Sequence, residues 1–157
     1  MTKRLMEVMR ALAFLFLVFS VENAAAHECH HGWTPFGTKC YKFFSESVDW
    51  VTAEKNCQSF DANLASVRNI VQNNFLLSLL VPADTQAWIG GHDGEVEGQW
   101  LWAEGSQFDL TNWCSGQPDN YGGQENCLGI NYDNNHCWND KPCSITMSYI
   151  CAKPLIS

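Results

Sequence analysis

The sequence predicts an α+β fold held together by disulfides, and three observations predict it. Helical hydrophobic spacing is confined to the stretch between Asp49 and Pro82, and short apolar runs separated by Gly, Asn and Asp clusters follow it. Eight cysteines, an even number, occur in a chain of 157 residues, which suits four disulfides in an oxidising compartment. A leader of the kind that reaches such a compartment stands at the N-terminus.

The leader has three parts. Lys3, Arg4 and Arg10 make a basic start, residues 11–19 are an unbroken apolar run, and Ala24-Ala25-Ala26 supplies small residues for cleavage after Ala26. Nine apolar residues fall short of the roughly 20 that a spanning helix needs. Residues 1–26 are therefore expected to be a signal peptide and residues 27–157 one secreted domain, with no transmembrane segment. Removing the leader takes away three basic and two acidic residues and changes the net charge from -8 to -9, and all eight cysteines stay in the mature part. A chain this acidic lacks the clustered Lys and Arg that nucleic acid or an anionic membrane requires. Its 46% hydrophobic content excludes a disordered chain.

Taken in order, residues 40–44 (Cys-Tyr-Lys-Phe-Phe) suit a short strand, with Tyr41 and Phe43 on one face. Asp49 is placed to cap a helix over residues 50–60, in which Trp50, Ala53 and Cys57 recur at helical spacing. A second helix is expected over residues 69–80, with Val71, Phe75, Leu76, Leu79 and Leu80 as its buried stripe and Pro82 as its stop. Residues 87–89, 99–103, 127–132, 136–138 and 148–152 read as short strands. Between them, residues 104–121 form a long stretch with little regular pattern, and long ordered loops in compact domains are usually functional.

Several chemistries fail on the residues themselves. His27-Glu-Cys-His-His31 has the look of a metal cluster, but a disulfide-bonded Cys29 has no thiolate to offer zinc. No Ser/His/Asp or Cys/His arrangement stands out, since oxidised cysteines are not nucleophiles and His136 sits beside Cys137 on an expected strand. There is no phosphate-binding glycine loop and no Asn-x-Ser/Thr sequon. The chain is predicted not to be an enzyme. Trp88, Trp100, Trp102, Trp113 and Trp138 are read as packing residues.

One set of residues does carry chemistry. Gln117-Pro118-Asp119 ends the long loop, Glu125 follows six residues after Asp119, and Trp138-Asn139-Asp140 ends an expected strand. Gln117, Asp119, Glu125, Asn139 and Asp140 offer three carboxylates and two amide carbonyls. Calcium is a hard cation that takes about six to eight oxygens, so this donor set suits it, with waters or sugar hydroxyls completing the shell.

The ordered set of motifs resembles the C-type lectin-like domain over residues 29–154. Trp88-Ile89-Gly90-Gly91 resembles the family's Trp-Ile-Gly-Leu strand, with Gly in the last place, and Asn63-Leu64-Ala65-Ser66 resembles the segment before the second helix. The resemblance implies two helices, short antiparallel sheets and a long calcium-binding loop. Eight cysteines allow about a hundred pairings. The resemblance implies Cys29–Cys40, Cys57–Cys151 and Cys127–Cys143, which leaves Cys114 with Cys137. It also implies that the five residues above hold a sugar-binding calcium, with the peptide bond before Pro118 cis.

Within that family Gln-Pro-Asp goes with galactose-type sugars and Glu-Pro-Asn with mannose-type. The resemblance therefore implies a secreted, calcium-dependent galactose or lactose binder with a recognition or innate-defence role. Sugar contacts would fall to Gln117, Asp119, Tyr121, Glu125 and Asn139. Tyr121 stands where galactose-binding members carry Trp, and the longer glycine-rich insertion that some of them place after it is missing. Asp93, Glu97 and Asn120 fall where some members hold an auxiliary calcium, against the alternative of a solvated acidic loop.

The sequence also resembles the type II antifreeze proteins, which share Gln-Pro-Asp and the Ala152-Lys153-Pro154-Leu155 ending. That group usually carries a fifth bridge, and its positions hold Gly94 and Asn126 here, so ice binding stands as the alternative. A third reading is a structural or toxin-like partner of another subunit, against which the complete calcium set argues. No coiled coil or collagen-like segment implies oligomerisation.

Overall fold

The computed structural model describes residues 3–10 and 28–156. Residues 3–10 are helical and exposed. The apolar run at 11–19 and the cleavage point after Ala26 lie outside the described residues. No helix among the described residues is long and apolar enough to cross a membrane.

Among the described residues, eight strands form one sheet: β1 (Thr34–Phe36), β2 (Lys39–Val48), β3 (Asn63–Leu64), β4 (Ala87–His92), β5 (Leu101–Trp102), β6 (Cys127–Ile130), β7 (Asn139–Lys141) and β8 (Met147–Pro154). The strand order is β1-β2-β8-β4-β6-β7, with β3 paired to β8 and β5 to β4. The C-terminal strand is inserted beside β2, where Lys39 opposes Pro154, and thus brings the two ends of the domain together. It also runs parallel to β4, with Ala87 opposite Ser148. The sheet is therefore mixed, not purely antiparallel as the sequence reading had it.

Strands β4 and β6 read as nearly continuous apolar runs because both faces of the sheet are covered there. Along β8, Met147, Tyr149 and Cys151 pack with Trp88, Cys127 and with Ala53 and Cys57 of helix α1 (Trp50–Gln58). Ile150 and Ala152 point the other way, into a second cluster with Ile89, Leu128, Ile130, Trp138 and Leu76 of helix α2 (Ile70–Ser78). This alternation is the two-residue period of a pleated strand.

Both helices begin at side-chain caps: Asp49, as expected, and Asn69, which the sequence places inside the second helix but which caps it instead. Asp49 accepts from Thr52 N at 2.8 Å and Asn69 from Gln72 N at 2.8 Å. The backbone bonds to Asp49 hold its pKa below the usual carboxylate value. Each helix is shorter than the sequence suggested, ending at Gln58 and Ser78. The expected stripe on α2 needs one correction: Val71 is 63% exposed, while Gln72 and Asn73 are buried. Buried donors and acceptors elsewhere require those polar side chains. Gln72 Nε2 donates to Tyr41 Oη at 2.6 Å, and Asn73 Oδ1 accepts from Trp138 Nε1 at 2.8 Å.

Two further segments differ. Residues 136–138 were expected to be a strand, but β7 starts at Asn139. His136 has φ +58° and closes a turn, its N donating to Asp133 O at 2.8 Å and its Nδ1 lying 2.6 Å from Asn131 Oδ1. Residues 99–103 keep only the two-residue β5.

The two motifs that resemble the family meet in space. A Cβ on Gly90 would lie 2.8 Å from Leu64 O, so only glycine permits this contact between the Trp-Ile-Gly strand and the Asn63–Leu64 strand. The departure at Gly91 is also explained, because Leu128 Cδ1 fills the space where its side chain would stand.

All four disulfides join the implied partners: Cys29–Cys40, Cys57–Cys151, Cys114–Cys137 and Cys127–Cys143. The first ties the N-terminal segment to β2, the second ties α1 to β8, the third ties the long loop to the segment before β7, and the fourth ties β6 to the segment after β7.

Candidate metal and sugar site

The long loop folds over an aromatic floor. Trp100, Trp102, Phe108, Trp113 and Trp138 contact one another with ring centroids 4.5–6.3 Å apart, which supports their reading as packing residues. Trp113 pairs with Trp138 in an isolated bridge, with Cys114 N donating to Trp138 O at 2.9 Å and Trp138 N to Asn112 O at 2.8 Å. This floor sets the loop beside the start of β7.

On that floor the loop brings Asp119, Glu125 and Asp140 together, each offering a carboxylate oxygen within 4.8 Å of the others. Asp140 is 1% exposed. Its Oδ1 accepts from Asp119 N at 3.1 Å and its Oδ2 from Asn120 N at 2.7 Å. A residue of β7 thereby fixes the backbone of the loop. Glu125 Oε2 accepts from Tyr121 N at 3.0 Å, and Glu125 N donates to Asn120 Oδ1 at 3.0 Å. Asn120, at φ +44°, turns the chain between Asp119 and the 3-10 turn Tyr121–Gly123. The Gln117–Pro118 peptide is cis. Among the described residues, Gln117 Oε1 and Asn139 Oδ1 are buried with no hydrogen-bond partner.

Partial burial raises the Glu125 pKa above the usual carboxylate value, and the nearby Asp119 and Asp140 carboxylates add to the rise. Three converging carboxylates and two buried, unpartnered amide oxygens are a donor set suited to a hard divalent cation.

A second acidic group lies alongside. Asp93 is 1% exposed; its Oδ2 accepts from Gly98 N at 2.8 Å, and its Oδ1 is among the buried atoms without a partner. The pKa of exposed Glu97 is raised by loss of solvent and by the Asp93 and Asp140 carboxylates. Glu97 therefore lies within electrostatic reach of both Asp93 and Asp140. Asn120 contacts Asp140 and Glu125, and its carbonyl accepts from Gly123 N at 2.8 Å. Asn126, which the sequence marks only as a position of the missing fifth bridge, has a carbonyl that accepts from Asp93 N at 3.2 Å and links the two groups; a backbone acceptor leaves no mark on residue type.

Tyr121 is 80% exposed at the rim of the site. Cys114, Asp133 and Cys137 also converge, but the two sulfurs are bonded to each other and offer no thiolate. Cys29 of the His-rich segment is likewise bonded, while His27 lies outside the described residues.

The disulfide-stapled mixed sheet, the two capped helices and the loop ending in Gln-Pro-Asp define a C-type lectin-like domain. The chain belongs to the C-type lectin family: the Lectin C-type domain matches residues 46–153. It is 37% identical to the galactose-specific lectin nattectin of Thalassophryne nattereri over 151 residues, covering 90% of this chain and 94% of nattectin. It is 36% identical to the type-2 ice-structuring protein of Osmerus mordax over 127 residues, covering 81% and 72% of the two chains. The solved herring type II antifreeze protein superposes with a TM-score of 0.77 at 37% identity, covering 81% of this chain and 99% of that one. These relatives are lectins and ice-structuring or antifreeze proteins, and the chain is not an enzyme.

Proposed function

We propose that the protein is a secreted, calcium-dependent lectin for galactose-type sugars, formed by residues 27–157 after loss of the leader at 1–26, with a role in recognition or innate defence. The observation that carries this reading is the convergence of Asp119, Glu125 and Asp140 beside the unpartnered oxygens of Gln117 and Asn139. Those five residues would hold the ion. When bound, calcium supplies a cationic centre that vicinal sugar hydroxyls can ligate. Around it the Gln117 and Asn139 amides donate to sugar oxygens, and the Asp119 and Glu125 carboxylates accept from sugar hydroxyls. The name of the relative nattectin supports galactose as the sugar type.

The exposed Tyr121 ring offers a face for the apolar C–H side of galactose. Replacing Tyr121 with Ala is expected to weaken galactose binding about 3- to 10-fold, in line with the ~0.5–1.5 kcal/mol of an aromatic contact. Calcium affinity should stay within twofold of native. Paired sugar and calcium titrations of the variant check both halves of this expectation. An open site of this kind binds a single sugar weakly, so clustered glycans or clustered sites would raise retention.

A second ion at Asp93, Glu97 and Asn120 is part of the same proposal, supported by the buried, unpartnered Asp93 Oδ1. Retention on immobilised lactose in calcium, with release by a chelator or by free galactose, tests the lectin reading, and the calcium count per chain tests the second ion. No retention with calcium present would sink the lectin reading. Thermal hysteresis without sugar retention would move the protein to the ice-structuring branch of its relatives.

A further inference from the structure

The Cys114–Cys137 disulfide stands where the two segments carrying the proposed calcium ligands meet. Cys114 lies three residues before Gln117, and Cys137 two residues before Asn139. Both cysteines are buried. Cys114 O accepts from Gln117 N at 2.9 Å, so the turn into Gln117-Pro118-Asp119 starts at the bridge itself.

The Cys137 side is firmly placed. Tyr132 N donates to Cys137 O at 3.0 Å. The Asn131 amide donates to Ala83 O and Thr85 O at 2.9 and 2.8 Å, which turns its Oδ1 toward His136 Nδ1 at 2.6 Å. The Cys114 side is different. Between Cys114 and Glu125 the one regular element among the described residues is the 3-10 turn Tyr121–Gly123. Asp119 and Asn120 reach β7 through the Asp140 carboxylate. Three converging carboxylates repel one another before an ion arrives, which favours a loop that swings away from β7.

We propose that the Cys114–Cys137 bridge positions the calcium site: it holds the loop carrying Gln117, Asp119 and Glu125 against Asn139 and Asp140 in the metal-free protein. The proposal rests on the calcium reading given above. Without the bridge the two segments stay joined through the paired backbone bonds at Trp113 and Trp138, and calcium must first select the assembled loop. Apparent affinity then falls by the fraction of molecules in which the loop is assembled. The other three disulfides remain to hold the fold.

The test is a calcium titration of three forms of the full domain at a temperature where each is folded: native, Cys114→Ala/Cys137→Ala and Cys29→Ala/Cys40→Ala. The expected result is calcium affinity tenfold or more weaker in the first variant, with sugar retention restored at saturating calcium, and native affinity in the second. Equal calcium affinity in native protein and the Cys114/Cys137 variant overturns the proposal, as does an equal loss in both variants. If native protein binds no calcium, it is the calcium reading that falls.

A second measurement needs no variant. Native protein is equilibrated with reduced and oxidised glutathione; two glutathione thiols reduce the bridge to two cysteine thiols and leave as one glutathione disulfide. By linkage, calcium must favour the oxidised bridge by the same factor by which the bridge favours calcium. Alkylation and mass spectrometry of Cys114 and Cys137 read that shift, and an unchanged equilibrium with calcium overturns the proposal.

Discussion

Replacing Asp140 with alanine is expected to lower calcium affinity by two orders of magnitude or more and to abolish calcium-dependent retention on galactose. Asp140 is 1% exposed and does two things at once. It contributes a charge to the carboxylate cluster, and its two oxygens accept from the Asp119 and Asn120 backbones. Hydrogen bonds to a charged acceptor contribute about 1.5–3 kcal/mol each, and water at this loop recovers part of that. Calcium-loaded stability should therefore fall by ~1–3 kcal/mol. The loss should be smaller without calcium, because removing Asp140 also relieves repulsion against Asp119 and Glu125. Asp140→Asn keeps one acceptor oxygen but turns an N–H donor toward the other backbone N–H, so part of the stability should be lost and calcium affinity should still collapse. Urea unfolding with and without calcium, beside a calcium titration, measures all of these quantities. Calcium affinity within threefold of native in Asp140→Ala would contradict the assignment.

The second large effect concerns sugar choice. Gln117→Glu together with Asp119→Asn exchanges an amide and a carboxylate across the proposed site without changing its net charge. A sugar hydroxyl that ligates calcium must also donate to one neighbour and accept from another. Reversing the order of those neighbours leaves galactose hydroxyls facing groups of the wrong sense, and each mismatch costs about the ~1.4 kcal/mol that corresponds to tenfold in affinity. The variant is expected to prefer mannose over galactose by tenfold or more, with calcium affinity close to native. Competition of both sugars against an immobilised glycoprotein gives the ratio. An unchanged galactose preference would show that the order of donors and acceptors does not select the sugar.

The same cluster sets a pH dependence. In metal-free protein the Glu125 pKa is raised, first by burial and then by Asp119 and Asp140, so the folded state holds that proton more tightly than the unfolded chain does. This contribution to stability is present below the ordinary glutamate value and is lost as pH rises through the raised one. Calcium needs the ionised form, so its stabilising effect has the opposite sign. The rise in unfolding temperature on adding calcium should be full near neutral pH and should shrink as pH falls through the range just above an ordinary glutamate. A calcium-induced rise that stays constant between about pH 4 and 7 would contradict this account.

The Asp49 cap and the three carboxylates that converge, Asp119, Glu125 and Asp140, were legible because each depends on residue type at a fixed place in the chain. Asp49 is a capping residue just before a helical pattern, whereas Asn69 reads as the first residue of its helix and proves to be its cap; the bridges joined the partners that family resemblance implied. Tertiary demands hid the rest. Gln72 and Asn73 are buried on α2 because Tyr41 and Trp138 need polar partners, and nothing local to residues 69–80 signals that need. Strand β7 begins at Asn139 because Trp138 is still engaged with Asn112 and Cys114 across the loop. The parallel pairing of β4 with β8 joins residues some sixty positions apart, Ala87 with Ser148. The double acceptance by Asp140 was equally hidden: its donors are backbone N–H groups, present at every residue but proline.

If sugar and protein share one calcium ion, a calcium titration run with and without galactose reveals it. If sugar hydroxyls complete the shell begun by Gln117, Asp119, Glu125, Asn139 and Asp140, saturating galactose must tighten calcium binding, and by the same factor calcium must tighten galactose binding. The predicted result is tighter calcium binding in galactose, with a smaller shift in mannose. Calcium affinity that is unmoved by galactose, or a native protein that binds no calcium, would contradict the account.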